Sequence, residues 1–538
     1  MKSNNDQEPS RIEMSEKELS DLIQEVNASS LSEKSKVLIV RVLSSFLWLN
    51  RQLERKTLSI KKLLRIFFGS KTEKVKKEDT KKDDDDKPSG GSAGSKVDPK
   101  PPAPKGKGHG KTGQAEFKSA EHIAVPHPTL SVKDECPSCK DGRLYDFGPA
   151  NVLRIFGQSP LVAKVFELGQ LRCANCQELF TAPLPEEAGP DRNHVTANAM
   201  IACLNYGTGM PFYRLESLQK QLGTPVPDST QFDMSENAAN CGAPVFEHMK
   251  KLAPNGQQHG LDDTPVKVLS LMKENKKLSK NDRTGMQTSA FVVKHNENKM
   301  ALFMTGRNHA GENAGALLAK RDPALPKVVQ MSDASPNNVS HDFMELVIMS
   351  LCLDHGRRNF HEIMDAFPKD CRHVIQELGQ VYKNDANSKL LNLTPAERLI
   401  YHQEHSSPIM NGLNTWMEEK LENKEVEPNS ELGKAIEYFL KHWNGLTAFI
   451  RIEGAPLSNA EVERLIKRCV LRRKASMFYR TEVGAWIGDV LMSLIETARF
   501  AGKNPFEYLV ALQENVVKVR QNPENWLPWN YQQTLLSV

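Results

Sequence analysis

The sequence predicts a multidomain α+β protein, on three observations. Helix-periodic stretches at both ends enclose a middle region of short strand-like runs. A charged segment that turns Gly/Ser-rich and then Pro/Lys-rich separates the first helical stretch from the rest. Two Cys-x-x-Cys pairs mark a small metal-held module beyond that segment. At 538 residues the chain also exceeds the size of one ordinary domain.

The elements follow in order. The opening MKSNNDQEPS is polar and lacks the apolar run of a secretory signal, so residues 1–15 read as a disordered tail. Residues 16–76 read as a helical, coiled-coil segment, with Ser15 and Glu18 resembling a helix start and Ser32 a second one. Ile39, Val42, Phe46, Leu49, Leu53, Ile60, Leu63 and Phe67 follow steps of three and four, with Lys56 the one break. That is a heptad seam, and it points to a homo-oligomer. A helix packed inside its own domain is the alternative, because Leu43, Leu47, Leu64 and Phe68 broaden the apolar face. Gly69 supplies a stop. Residues 77–120 cannot bury enough apolar area to offset ordering entropy and read as a disordered linker. The longest greasy stretch, around 37–49, contains Arg41 and is too short to span a bilayer. The expectation is a soluble, cytoplasmic chain with no membrane partner.

Short strand-like runs around the cysteine pairs make 121–185 a zinc-ribbon domain. Residues 186–256 read as short helices split by Gly and Pro turns, a helical domain compatible with a helix-turn-helix DNA reader. From 258 the pattern changes to strand-like runs: HGLDDTPVKVLSLM, TSAFVVKHNENKMALFMT with a turn at 296–299, KVVQMSD and ELVIMSLCLDH, the last with a helical beginning as the alternative. Residues 359–382, 395–450, 460–470, 482–500 and 505–517 read as helix, with Gly502 capping one and Asn504–Pro505 opening the next. The domain boundaries expected are 257–502 for an α/β core, with a helical insertion at about 385–450, and 503–538 for a C-terminal helix and tail.

Three patterns carry chemistry. CPSC at Cys136 and Cys139 is matched by CANC at Cys173 and Cys176. A two-residue gap lets two thiolates grip one edge of a metal ion, and two such knuckles complete a tetrahedral sulfur site for one structural Zn²⁺. The other cysteines, Cys203, Cys241, Cys352, Cys371 and Cys469, lack partners at ligand spacing and read as buried apolar fillers. Second, Asp262 in HGLDDTPVKVL and Asp333 at the end of VVQMSD stand at strand ends, where carboxylates from separate elements can converge on metal ions. Simple turn chemistry is the competing explanation for each. Third, SNAEVERLIKRCVLRRK places Glu463 on an amphipathic helix with Arg464, Lys467, Arg468, Arg472, Arg473 and Lys474. A net charge of +4 says little about partners, but this local density of cations suits phosphate. A solvated helix with intrahelical ion pairs would look similar.

At this point the chain resembles transposases of the insertion-sequence 66 family over nearly its whole length. HGLDDTPVKVL resembles the family's D-E-T-P-V block, with Asp263 in place of the usual Glu, and matches Asp262 to its first catalytic Asp. DHGRRNFHEI is similar to the A-H-x-R-R-x-F block and matches His355, Arg357, Arg358 and Phe360. SNAEVERLIKR resembles the D-N-N-x-A-E-R block and matches Asn459, Glu463 and Arg464. The C-terminal block through SLIETA, FGSKTEK near 69, WLPWN at 526–530 and the cysteine pairs also match. The chain departs from the family at its second Asp, where SDASPNN replaces D-G-Y, so Asp322 and Asp354 stand as rivals to Asp333. Ser458 and Ala460 replace Asp and Asn near Glu463.

The resemblance implies an RNase-H-like catalytic core with a helical insertion, and a DDE site of Asp262, Asp333 and Glu463. That site would hold two Mg²⁺, or Mn²⁺, for cleavage and joining of DNA at the ends of an insertion sequence and at a target. It implies Arg357, Arg358 and the basic helix as DNA contacts, accessory proteins encoded by the same element as helpers, and a nucleoid-associated location. The alternative is a sequence-specific DNA-binding protein with an inactive core.

Overall fold

The run TSAFVVKHNENKMALFMT builds a hairpin of β-branched and large apolar residues, and a sheet grows from it. The computed structural model describes residues 22, 25–29, 31, 32, 34–43, 123–135, 137, 140, 142–146, 154, 155, 157–189 and 191–537, apart from 280 and 281. The chain divides into a unit of residues 1–126 and a unit of residues 127–538. Described residues of the first include a helical stretch at 34–43, where Ser32 Oγ accepts from the Ser35 amide at 3.3 Å, the cap expected there. The heptad seam beyond Leu43, the Ser15 start and the linker at 77–120 lie outside the described residues.

The second unit opens with a two-stranded hairpin, β1 (Gln170–Arg172) and β2 (Leu179–Thr181), around the second cysteine pair. Helices α1 (Val195–Ala202), α2 (Phe212–Gln221) and α3 (Asp228–Leu252) follow. A mixed five-stranded sheet then forms from β3 (Gln258–Pro265), β4 (Gln287–His295), β5 (Asn298–Gly306), β6 (Val328–Ser332) and β7 (Val347–Leu351), in the order β5-β4-β3-β6-β7. β3, β4 and β5 are antiparallel neighbours, whereas β6 runs parallel to β3 and β7 parallel to β6. Asn296, in the left-handed region at φ 53°, turns β4 into β5 within the expected turn. The second half of HGLDDTPVKVLSLM leaves the sheet and coils into α4 (Leu269–Asn275). Helix α5 (Ala310–Leu318) connects β5 to β6.

β7 leads into a helical unit: α6 (Leu353–Glu362), α7 (Pro368–Leu390), α8 (Pro395–His405), α9 (Ser407–Glu422), α10 (Glu431–Lys441) and the short α11 (Trp443–Leu446). Pro368 splits the single helix expected over 359–382, because it has no amide to donate. The helices expected to group from about 385 are joined by earlier ones. Phe360, Cys371, Val374, Leu378 and Val381 of α6 and α7 join Met410, Leu413, Ile436 and Phe439 in one core of their own. Phe360 meets Phe439 edge-to-face at 5.5 Å, and a Cβ at Gly356 would strike that Phe439 ring at 2.6 Å, so only glycine lets α6 lie against α10.

The chain returns to the sheet through α12 (Ala460–Ser476), α13 (Glu482–Phe500), α14 (Pro505–Glu514), α15 (Val516–Gln521) and α16 (Tyr531–Leu536). α13 is buried almost all round because it lies along the sheet edge. Its Thr497 Oγ1, Ser493 Oγ and Asp489 Oδ2 accept from the β5 amides of Ala301, Phe303 and Thr305 at 3.0, 2.9 and 2.7 Å. These acceptors at four-residue spacing close the open edge of β5, which would otherwise bury unpaired donors. α1 and α3, read from sequence as part of a separate helical domain, instead share the main core with α13 and the sheet. Ala199, Val245 and Met249 pack there with Phe291, Leu302, Leu491 and Leu494. Among the described residues no helix is long and apolar enough to cross a membrane.

Candidate active site

Strand register decides what meets at the site. β3 pairs with β6 as Gln258↔Val329, His259↔Gln330 and Gly260↔Met331, a constant offset of 71 positions that sets Asp262 level with Asp333. β6 pairs with β7 as Val328↔Val347 through Ser332↔Leu351, an offset of 19 that sets Asp333 level with Cys352. Side chains at one level of parallel strands share a face. Asp262, Asp333 and Cys352 therefore form a row across the sheet, at and just beyond the ends of β6 and β7.

Helix α12 closes over that row. A Cβ at Gly260 would lie 2.7 Å from Val462 Cγ2, so the glycine in HGLDD is what allows α12 to approach β3. Asn459, just before the helix, fixes the approach: its Nδ2 donates to the Leu261 carbonyl at 3.0 Å and its amide to Cys352 Sγ at 3.2 Å. Glu463 then hangs from the first turn, with Oε1 4.0 Å from Cys352 Sγ and 3.9 Å from His355 Nδ1. The Asp333 carboxylate accepts from the Ser335 amide at 3.0 Å and from Asn338 Nδ2 at 2.6 Å. The residues that replace D-G-Y thus hold this aspartate.

Burial, followed by the charges of Asp333, Asp263 and Glu463, pushes the Asp262 carboxyl up to about 6, against a lowering hydrogen bond from the Asp263 amide. Among the described residues no Lys or Arg forms an ion pair with Asp262, Asp333 or Glu463. Negative charge gathered without a protein cation suits a hard divalent ion with oxygen ligands. Tyr438 comes from the helical unit; its phenol is pushed up to about 12 by burial and by the Asp333 charge, so it remains a protonated donor beside the site.

The neighbours face elsewhere. Asp263 Oδ2 meets His309 Nδ1 at 2.8 Å and the Ala310 amide at 3.3 Å, capping α5. Glu461 pairs with Lys299 at 2.6 Å. Of the rivals to Asp333, Asp354 accepts from the Tyr382 hydroxyl at 2.6 Å. Asp322 accepts from the Ala324 amide in the turn before β6.

The basic helix divides in two. Arg464, Lys467 and Lys474 are exposed. Arg472 departs from the expectation of a DNA contact: it is 8% exposed, with its guanidinium 4.7 Å from the Tyr206 ring centre and 4.4 Å from that of Tyr479. The helical period turns it inward with Leu465 and Cys469. Arg468 is bound to Glu496 at 2.5 Å, and Arg473 to Thr264 Oγ1 at 3.0 Å and to the Pro265 carbonyl. Arg358 is exposed, while Arg357 stacks over Tyr382 at 5.7 Å.

At the cysteine module, Cys136 and Cys139 lie outside the described residues. Cys173 and Cys176 sit at the tip of the β1–β2 hairpin, and amide donors of Cys176 and Asn175 lower the Cys173 thiol. The bridge Glu135↔Arg143 brackets the first pair as the hairpin brackets the second. Lys140 and Gln177, each directly after a Cys-x-x-Cys, have φ of 61° and 62°. The two loops thus share one left-handed turn at the same place.

Sequence reasoning passed over Cys352, Gly260 and Tyr438 as site residues. Cys352 was legible only as a lone cysteine, and Gly260 as a glycine beside the Asp262 block.

Comparison with known proteins gives one family and several relatives. The family model described as "Transposase IS66 family" matches residues 193–486. The uncharacterized protein y4jD of Sinorhizobium fredii (strain NBRC 101917 / NGR234) is 30% identical over 187 residues, 34% of this chain and 36% of its own. Uncharacterized protein y4hP of the same strain is 22% identical over 438 residues, 76% of this chain and 75% of its own. Uncharacterized protein y4qI is 22% identical over 346 residues, 62% of each chain. The chain thus spans about a third of the first of these relatives and three-quarters of the second.

Proposed function

This chain belongs to the IS66 transposase family, and from that premise we propose that it cleaves and joins DNA strands at insertion-sequence ends, with Asp262, Asp333 and Glu463 as a DDE site on an RNase-H-like core. The observation that carries this reading is the register that sets Asp262 level with Asp333, with α12 bringing Glu463 over the same row and no Lys or Arg ion-paired to any of the three among the described residues. A sheet of three antiparallel and two further parallel strands, with acids on its central strand, directly after the neighbouring strand and on the closing helix, agrees with it. Two Mg²⁺ held there would supply Lewis-acid activation of a water or 3′-hydroxyl and stabilise the leaving oxygen. The chain's own part is positional. Ser335 and Asn338 orient Asp333, Asn459 sets the angle of Glu463, and Tyr438 keeps its proton and offers a hydrogen-bond donor. Arg464, Lys467, Lys474 and Arg358 remain as the phosphate contacts. The test is cleavage of duplex DNA carrying the element's ends, with accessory proteins present. Metal-dependent nicking supports the proposal, and binding without nicking in Mg²⁺ or Mn²⁺ establishes the inactive-core alternative.

A pH effect follows from Asp262. Its carboxyl lies near 3.8 when unfolded and about 6 when folded, so the folded chain holds the proton more tightly. Without divalent ions, folding stability should fall as pH rises from about 4 to 6, by on the order of 1–3 kcal/mol. Added Mg²⁺ should therefore raise the melting temperature at pH 7 and do little at pH 5. An equal Mg²⁺ effect at both values would count against a shared acidic site.

The paired turns support a zinc ribbon of Cys136, Cys139, Cys173 and Cys176. Replacing Cys173 and Cys176 together with Ser should remove one zinc per chain by elemental analysis; unchanged zinc would refute the assignment. The N-terminal seam supports self-association. Leu49→Asp with Leu53→Asp should dissociate the oligomer, and unchanged mass in light scattering would reject that role.

A further inference from the structure

Three side chains beside the acidic row form a set of different chemistry. Cys352 Sγ, His355 Nδ1 and Glu463 Oε1 lie within 4.8 Å of one another. The two separations to Glu463, 4.0 and 3.9 Å, approach the roughly 3.3–3.8 Å that tetrahedral bonds of about 2.0–2.3 Å set between ligand atoms. Cys352 is the residue just before α6 and His355 lies in its first turn, three positions on. The His355 Nδ1 atom is buried and has no hydrogen-bond partner. Cys352 is 1% exposed, and the Asn459 amide donates to its sulfur at 3.2 Å.

Mg²⁺ has little use for sulfur or imidazole, whereas a borderline-soft ion prefers them. We propose that Cys352, His355 and Glu463 form a binding site for a divalent cation of the zinc class, and that its occupancy withdraws Glu463 from Asp262 and Asp333. The thiol releases its proton to solvent as it ligates. Three protein ligands leave the fourth tetrahedral position to water, the pattern of an open site rather than a closed structural one. Glu463 belongs to both sets, so the zinc-class ion opposes the Mg²⁺-dependent reaction. Only this second half rests on the DDE reading; the binding site does not.

The probe is Co²⁺, whose bond to a thiolate gives a charge-transfer absorbance. It is added to the metal-free full-length chain carrying Cys136→Ser, Cys139→Ser, Cys173→Ser and Cys176→Ser, so that the ribbon contributes no thiolate. One Co²⁺ per chain with thiolate absorbance is expected. Cys352→Ser in that background should abolish the absorbance, and His355→Ala should weaken binding by roughly 100-fold, the share of one ligand in a four-ligand zinc affinity. Absorbance that survives Cys352→Ser, or none in the parent, overturns the site. If the background chain does not fold, the same loss is read as one fewer Co²⁺ in Cys352→Ser than in wild type, with circular dichroism confirming that both are folded. For the second half, Zn²⁺ should slow Mg²⁺-supported DNA cleavage, and His355→Ala should blunt that inhibition. Cleavage indifferent to Zn²⁺ in a chain that binds Co²⁺ overturns the inhibitory role alone. A chain that binds Co²⁺ and never cleaves speaks against the DDE proposal and leaves the metal site standing.

Discussion

Asp262→Asn, Asp333→Asn and Glu463→Gln should each lower the rate of DNA strand cleavage by at least about 10³-fold, because each removes a charge that a hard cation requires and forfeits several kcal/mol of transition-state stabilisation. Binding to DNA should survive, since phosphates are met by Arg and Lys on other surfaces. The controls lie next door. Asp263 is turned to His309 and the Ala310 amide, and Glu461 to Lys299. Asp263→Asn weakens a cap on α5, worth on the order of 1 kcal/mol, and Glu461→Gln loses one exposed pair worth less. Neither should cost more than a few-fold in cleavage. The rival aspartates provide a sharper check. If Asp354→Asn abolished cleavage while Asp333→Asn cut normally, the second ligand would be misassigned, despite its register with Asp262. The assay is single-turnover nicking of an end-containing duplex, with binding measured in parallel so that a folding defect is not mistaken for a chemical one.

Arg472→Ala should destabilise the chain by on the order of 3–5 kcal/mol, whereas Arg464→Ala, Lys467→Ala and Lys474→Ala should each fall within about 0.5 kcal/mol of wild type. All four sit on one helix and look alike in sequence. Arg472, however, is packed between Tyr206 and Tyr479, and its Nε donates to Asn205 Oδ1 at 3.3 Å. Truncation removes two desolvated cation–π contacts, worth up to about 2 kcal/mol each, and leaves a cavity. The exposed three should show the opposite profile, with weaker DNA binding and a salt dependence whose slope drops by about 0.9 for each phosphate no longer neutralised. Thermal melts and salt titrations separate the two groups. An Arg472→Ala chain that melts like wild type but binds DNA poorly would return Arg472 to the surface role that composition alone suggests.

Local pattern carried a good deal. The hairpin at 287–306, the strand VVQMS, the helix at 482–500 and the cap at Ser32 were legible because period-2 and period-3.6 patterns and turn residues act within a few residues of themselves. The cysteine pairs were legible because Cys-x-x-Cys spacing constrains one turn. Helix boundaries near Pro368 and the start of the helical unit were not, since both depend on which core a segment joins.

Sequence by itself determined which residues could do chemistry: the blocks around Asp262 and Glu463, the basic helix, and two metal-ligand spacings. That Asp333 lies level with Asp262 comes from the β3–β6 register, a relation between strands that neither strand encodes alone. Tertiary structure alone decided that Gly260 admits α12, that Arg472 faces the core, and that Cys352 lies beside Glu463, more than a hundred positions along the chain. These facts follow from close packing between distant segments, where a missing Cβ or one turn of helix settles which atoms touch.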